Sequence, residues 1–259
     1  MAQHQASSGF LNEIQKIPPV TRFLCGSTLV VTLPVMLQLV SPYTVIFVKA
    51  LVLSRLQLWR VFTSFFLGSS GINFIFDFAM LYRNSDALES AHFGGRSADY
   101  AWQLLLAAGG ILALNIPLGT YVHTRPLLLA LTYLGSALAP PGAQTSFFGL
   151  LTLPVQYLPY ILVGMDLIMG GPGAAAQSIS GVVVGHAWWW VIFGGGAGAS
   201  GRNLGSAPGW LKRMLGQRDG VATRLAGTAG GVHVIPPRAR QVVEETTGHR
   251  WGSGHRLGN

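Results

Sequence analysis

Two serines, one histidine and a scatter of amides and carboxylates are the residues of this chain with chemistry to offer. Gly68-Ser69-Ser70-Gly71 sets hydroxyls between glycines, and a hydrolytic reading would pair Ser70 as nucleophile with His186 as base. Such a serine is inert unless the base lies within hydrogen-bond reach. Asn73, Asp77, Asn115, Asp166, Gln177 and His186 each stand inside an otherwise apolar run. An ionised Asp at mid-bilayer costs about 2.5–3.5 kcal/mol, so Asp77 and Asp166 should face protein, water or a membrane surface. Two readings stand for this set: a water-filled cavity that lowers the barrier for polar polypeptide, or residues near span ends that tighten helix packing. Gly196-x-Gly198-x-x-Gly201 formally matches a dinucleotide fingerprint. It follows no strand, and the faint P-loop likeness beside it lacks the Lys and the Ser or Thr, so chance explains it in so glycine-rich a chain. The single cysteine, Cys25, excludes an intramolecular disulfide and a cysteine-based zinc site. No cofactor or metal is expected.

The elements that must position these groups read as membrane. Only 10% of the 259 residues are charged and 50% are hydrophobic, whereas soluble domains average about 25% charged. Apolar runs cover 23–40, 61–82, 100–118, 126–138, 150–169 and 174–193. Six spans are the simplest count, in an all-α, polytopic bundle. Crossing the hydrocarbon takes roughly 20 helical residues, and the run 126–138 has 13. It is read as a span, so the bilayer must thin around it or neighbouring helices must shield it. Residues 1–22 form an N-terminal cytosolic segment without a cleavable signal peptide, and the first run serves as an uncleaved signal. Residues 23–195 form the membrane domain, and 196–259 a disordered tail.

Charge sets the orientation. Lys16, Arg22, Arg83, Arg96, Arg202, Lys212 and Arg213 fall on one side, Lys49, Arg55, Arg60 and Arg125 on the other. The more basic side is cytosolic, which puts both termini there. The net charge of +8 therefore speaks for a cytosolic tail beside anionic lipid, with no nucleic acid partner. Residues 43–53, apolar apart from Lys49 and followed by Arg55, Trp59 and Arg60, are too few to cross and suit the interface. Gly181 and Gly185 share one helix face, where missing side chains let another helix approach. The tail holds twelve glycines in 201–259 and ends in Trp251-Gly252-Ser253-Gly254-His255-Arg256-Leu257-Gly258. Trp251 and Leu257 supply isolated apolar anchors and Arg256 a charged contact, while Gly252, Gly254 and Gly258 allow close backbone approach. Such a peptide suits the pocket of a soluble partner.

Five segments carry a family resemblance: Ile17-Pro18-Pro19-Val20-Thr21-Arg22 before the first run, Leu58-Trp59-Arg60 at the second, Gly95-Arg96-Ser97-Ala98-Asp99-Tyr100 at the third, Tyr157-Leu158-Pro159 at the fifth and Gly181-Val182-Val183-Val184-Gly185-His186 in the sixth. In this order they resemble the Derlins, rhomboid pseudoproteases of the endoplasmic reticulum membrane, over about residues 9–195. Residues 251–258 look like an SHP box, by which some Derlins bind the hexameric AAA ATPase valosin-containing protein. The tail is richer in Gly and Arg than the family leads one to expect, and the loop Pro140-Pro141-Gly142-Ala143-Gln144 carries no charge.

The resemblance implies a rhomboid-like six-helix body and a role in endoplasmic-reticulum-associated degradation. Misfolded luminal or membrane proteins would pass through a thinned bilayer and a polar groove, with Asn73, Asp77, Asp166 and His186 as groove candidates. A ubiquitin ligase complex, membrane lipid and further copies of the family are the other partners implied. Trp59 and Arg60 would fix the in-plane connection against the body, and Gly181 and Gly185 a tight helix seam. Catalysis is not expected. The rhomboid nucleophile belongs to the fourth span, where the chain has only Ser136 near the cytosolic end, and Gly68–Gly71 lies in the second. His186 is then expected to be buried, with Asp166 as candidate partner. The alternatives are an active intramembrane serine protease and a small-solute channel.

Overall fold

The computed structural model describes residues 16–147, 151–194 and 204–217, all within the unit formed by residues 1–218. Helix α1 spans Pro19–Met36. Pro19 at its first position presets φ and removes an N–H that would have no partner there. The next two N–H groups are met from far along the chain. The Glu89 carboxylate accepts from Val20 N at 3.1 Å and from Thr21 N at 2.8 Å, and the Thr21 hydroxyl also donates to it at 2.8 Å. Glu89 is only 2% exposed, so a negative charge closes the positive end of α1 away from water.

Three short helices follow: α2 at Pro42–Val45, α3 at Lys49–Arg55 and α4 at Trp59–Ser64. Helix α5 spans Ile72–Ala87 and runs into a π-helical turn at Leu88–His92. The apolar run 61–82 is therefore not one helix. It breaks between α4 and α5, where Gly71 takes φ +67°. Side chains of other elements satisfy the backbone at the break. The Thr32 hydroxyl donates to Phe66 O and accepts from Gly68 N, while Thr124 donates to Leu67 O. Helix α5 also outlasts the apolar run, because Asn84 and Ser85 bond inward to Thr132, Thr21 and Tyr100 instead of reaching for water.

Helix α6 spans Ser97–Leu118 and α7 Thr124–Ala137. Leu127, Leu128, Leu129, Ala130, Leu131 and Leu134 are all buried, so α7 is apolar around its girth and enclosed by its neighbours. After a two-stranded antiparallel hairpin, β1 at Gln144–Phe147 and β2 at Leu151–Pro154, helix α8 covers Leu158–Ile192. The hairpin corrects the helix expected from residue 150, which begins only at Leu158. Pro154 closes the ladder and a 3-10 turn at Val155–Tyr157 leads into α8. In a straight helix Asp166 and Ser178 would stand about 18 Å apart along the axis. Their side chains hydrogen-bond, so α8 doubles back. The reversal is at Gly171, with φ +75°, followed by Pro172. The two arms, 158–170 and 172–192, match the fifth and sixth apolar runs.

Pro19–Met36 and Ser97–Leu118 are long and apolar enough to cross a membrane, as is Val155–Ile192 taken as one stretch, although it doubles back at Gly171. By its rise, α7 reaches only about 21 Å, short of a hydrocarbon core of about 30 Å. The seam expected at Gly181 and Gly185 lies against α7. A Cβ at Gly181 would run into the Pro126 carbonyl, and one at Gly185 would stand 2.8 Å from Ala130 O.

A second correction concerns the tail. Residues 204–217 are ordered against the start of α6 and include helix α9, Gly209–Met214. Asp99 accepts from Ala207 N at 2.8 Å and from Gln217 Nε2 at 3.4 Å, and Ala98 N donates to Gln217 Oε1. The rest of the expected disordered tail, including Trp251, Gly252, Gly254, Arg256, Leu257 and Gly258, lies outside the described residues.

Because the seam has no room for a side chain, Gly185→Val should destabilise the body by about 1–3 kcal/mol through overpacking. Thermal unfolding of the purified protein in detergent reads this, and an unchanged melting temperature would contradict the seam.

Candidate functional site

Between α5, the start of α7 and the two arms of α8 lies a cavity of about 610 Å³. Apolar walls come from Phe74, Met80, Leu128, Leu162 and Met165, and a polar margin from Ser69, Asn73, Asp77, Arg125, Asp166 and Gln177. The break before α5 brings Ser69 to the rim, where it donates to Asp77 at 2.8 Å. Gln177 donates to the Val122 carbonyl and thereby ties the second arm of α8 to the turn preceding α7.

Arg125 organises the polar margin. Its Nη1 lies 2.5 Å from Asp77 Oδ1, its Nη2 2.7 Å from Asp166 Oδ1 and its Nε 2.9 Å from Asp166 Oδ2. The second contact is a two-point guanidinium–carboxylate fork. One cation on α7 thus holds a carboxylate on α5 and another on α8. Asp166 also accepts from Ser178 on the returning arm. Arg125 is 26% exposed and the two acids less, so the triad sits at the cavity margin, neither open to solvent nor sealed.

Asn73, Asp77, Asp166 and Gln177 are therefore brought to one cavity, whereas Asn115 and His186 are not. Asn115 is buried, donating to Ser180 Oγ at 2.7 Å and to Ile111 O at 2.8 Å. His186 is exposed, which corrects the expectation of burial beside Asp166. Its Nδ1 meets the Tyr133 hydroxyl at 2.7 Å, and its ring lies against Trp189. The acid already has Arg125 for a partner, and the histidine sits on the outward face of its helix.

Nucleophile chemistry finds no support in these contacts. Ser70 is exposed on the loop before α5, and His186 is engaged by Tyr133. Ser136 donates to Tyr133 O. A different serine–histidine contact does exist: His123 Nδ1 lies 3.0 Å from Ser64 Oγ. The Ser64 hydroxyl also lies 2.8 Å from Val61 O, which competes with the imidazole for its proton. Both are fully buried, the imidazole between Phe47 and Phe65. The contact joins α4 to the start of α7.

Arg60 closes the connection between α1 and α5. It is buried, and its Nη1 donates to Tyr43 O at 2.5 Å and to Ile46 O at 3.1 Å while Nε donates to Gln57 Oε1. Trp59, 56% exposed, points away and keeps the character of an interfacial anchor. Sequence reasoning missed Arg125 and Glu89. Arg125 lies between the third and fourth apolar runs, and Glu89 lies beyond the end of the second. The available signal was the two carboxylates inside apolar runs, which require a cation.

The model of the Der1-like family matches residues 17–209. The chain belongs to the Der1-like family. A Derlin-1 of Arabidopsis thaliana is 33% identical over 230 residues, covering 86% of this chain and 84% of that protein. The Derlin-1 of Homo sapiens is 29% identical over 252 residues, covering 95% and 96%. Derlin-1.2 of Zea mays is 30% identical over 204 residues, covering 78% and 82%. With its long apolar helices, this Der1-like chain is a membrane-embedded, mostly helical protein. The family motifs have physical roles in it. Thr21 of the first and Tyr100 of the third meet through Ser85, with Glu89 at the end of the chain of hydroxyls.

Removing the Arg125 charge leaves two partly buried carboxylates facing each other. Arg125→Met should cost about 3 kcal/mol, the lower end for a broken buried pair because the group is partly wet. Adding Asp77→Asn and Asp166→Asn should recover most of that loss in a thermal melt. The cavity margin should also admit water: in a Cys25→Ser background, cysteines at 73 and 77 should react with a water-soluble thiol reagent in native membranes. Complete protection of both would count against a wet cavity.

Proposed function

We propose that this Der1-like protein is a non-catalytic factor of endoplasmic-reticulum-associated degradation that eases misfolded proteins out through a locally thinned bilayer. The observation that carries the reading is the polar cavity bordered by a helix too short for an undisturbed membrane. A polar polypeptide segment gains from a route that offers hydrogen-bonding groups at reduced membrane thickness. Asn73, Asp77, Asp166, Gln177 and Arg125 would line that route, with Arg60 and the seam at Gly181 and Gly185 keeping its walls in place. His186 lies off the route. Turnover there requires a partner that supplies the work.

The partner is the AAA ATPase valosin-containing protein, held by Trp251, Gly252, Gly254, Arg256, Leu257 and Gly258, with a ubiquitin ligase complex beside it. A peptide that orders on binding loses entropy, so a single contact is modest and gains strength on a hexamer. Both termini would be cytosolic, in a six-span body. Residue 21 and residues 204–217 both meet the start of α6 or its partners, which supports an even number of crossings.

Asn73→Leu strips polarity from the cavity rim at an exposed position. It should slow degradation of a misfolded membrane substrate severalfold while the protein's own level stays constant, read by pulse-chase in cells lacking related proteins. Residues 249–259 alone should retain the ATPase in a pull-down, and Leu257→Ala in the full chain should lose most of that binding. Equal recovery of the ATPase by a chain lacking these residues would overturn the docking assignment.

A further inference from the structure

Residues 204–217 have two faces with different fates. One is fastened to the first turns of α6. Trp102 Nε1 donates to Leu204 O at 3.0 Å and Gln103 Nε2 to Gly205 O at 2.9 Å, adding to the Asp99 and Ala98 contacts. Ala207 and Leu211 are buried against Ala98. The other face is apolar and uncovered by the described residues. Leu204 is exposed, Trp210 is 58% exposed and Met214 79%. Trp210 and Met214 stand four residues apart, so they project from one side of α9. Lys212 and Arg213 fill the last turn of the same helix.

The height of this segment is set by its attachment. Ala98 to Gln103 lie in the first two turns of a helix long and apolar enough to cross a membrane, directly after the polar Arg96 and Ser97. The segment therefore sits at the boundary between hydrocarbon and water. Neighbouring residues of that boundary are apolar and exposed, including Leu105 on α6 and Trp190 near the end of α8. A tryptophan, a methionine and a leucine beside two cations at such a level match the chemistry of an anionic leaflet surface: apolar side chains below the headgroups, ammonium and guanidinium among them.

We propose that residues 204–217 form a rigid interfacial ledge, with Leu204, Trp210 and Met214 set into the leaflet that adjoins the start of α6 and Lys212 and Arg213 against its anionic headgroups. The ledge rests on the membrane body and not on the proposed role in degradation. Its contacts with α6 hold the orientation, so the apolar face is presented before lipid meets it and no folding step is needed on contact. The occupant is lipid because the exposed apolar surface continues the membrane-facing surface of the body.

The test uses the full chain in a Cys25→Ser background, with Trp210→Cys and Met214→Cys carrying a spin label in separate preparations. Vesicles contain phosphatidylcholine alone or with phosphatidylserine, and relaxation by oxygen is compared with relaxation by a water-soluble nickel chelate. With phosphatidylserine, both labels should respond severalfold more to oxygen than to nickel. Without it, or with Lys212→Gln and Arg213→Gln, that preference should fall. Labels equally open to nickel in both vesicles would overturn the proposal, as would insertion indifferent to phosphatidylserine. Labels shielded only when soluble ATPase is added would assign the face to a protein and also overturn it. A degradation assay is not a readout here, so failure of the ledge and failure of the proposed function remain separate results.

Discussion

A charge inside an apolar body must find its opposite, and Arg125 is where this protein meets that demand. Two carboxylates on different helices would each be too costly to leave ionised in hydrocarbon. One guanidinium answers both because its planar donors can fork onto Asp166 while still reaching Asp77. The consequence is geometric as well as electrostatic. Helix α5, helix α7 and the first arm of α8 converge on one side chain, and the cavity is the space their convergence leaves.

The same economy governs the backbone. Irregular chain at membrane depth survives only where other groups satisfy its polar atoms. Thr32 and Thr124 do this at the break between α4 and α5, Arg60 does it for Tyr43 and Ile46, and Glu89 does it for the start of α1. These residues let a body with an abbreviated central helix hold together without extra length. The polar-edged cavity beside that helix is what links the architecture to the proposed passage of polypeptide.

Much of this was legible because membrane helices announce themselves by composition. The runs at 23–40 and 100–118, the two arms of α8, the short central run 126–138 and the glycine face of the last arm all correspond to observed elements. Arg60 acts on the connection that its motif suggested. What escaped depends on contacts between distant residues. Arg125 is adjacent to a proline at the start of a helix and looks like any loop cation until α5 and α8 deliver their acids. Glu89 lies in a polar stretch whose local pattern favours solvent, yet it serves residues 68 and 69 positions earlier. A polar residue in an apolar run such as His186 is expected to turn inward, yet Tyr133 gives it a partner on the outward face. Residues 204–217 are too short and too rich in glycine to register by periodicity, and contacts from Ala98, Asp99, Trp102 and Gln103 hold them.

The bond between Glu89 and the start of α1 has a temporal side. Synthesis delivers α1 long before residue 89 leaves the ribosome, and domains assemble from the N-terminus as they emerge. Until then Val20 and Thr21 must satisfy their amides with water or headgroups, leaving that end of the newborn helix loose at the bilayer rim. When α5 and its π turn arrive, the carboxylate replaces those makeshift partners and the helix is seated. The first helix is thus completed at its start only by a residue made 68 and 69 positions after the amides it serves.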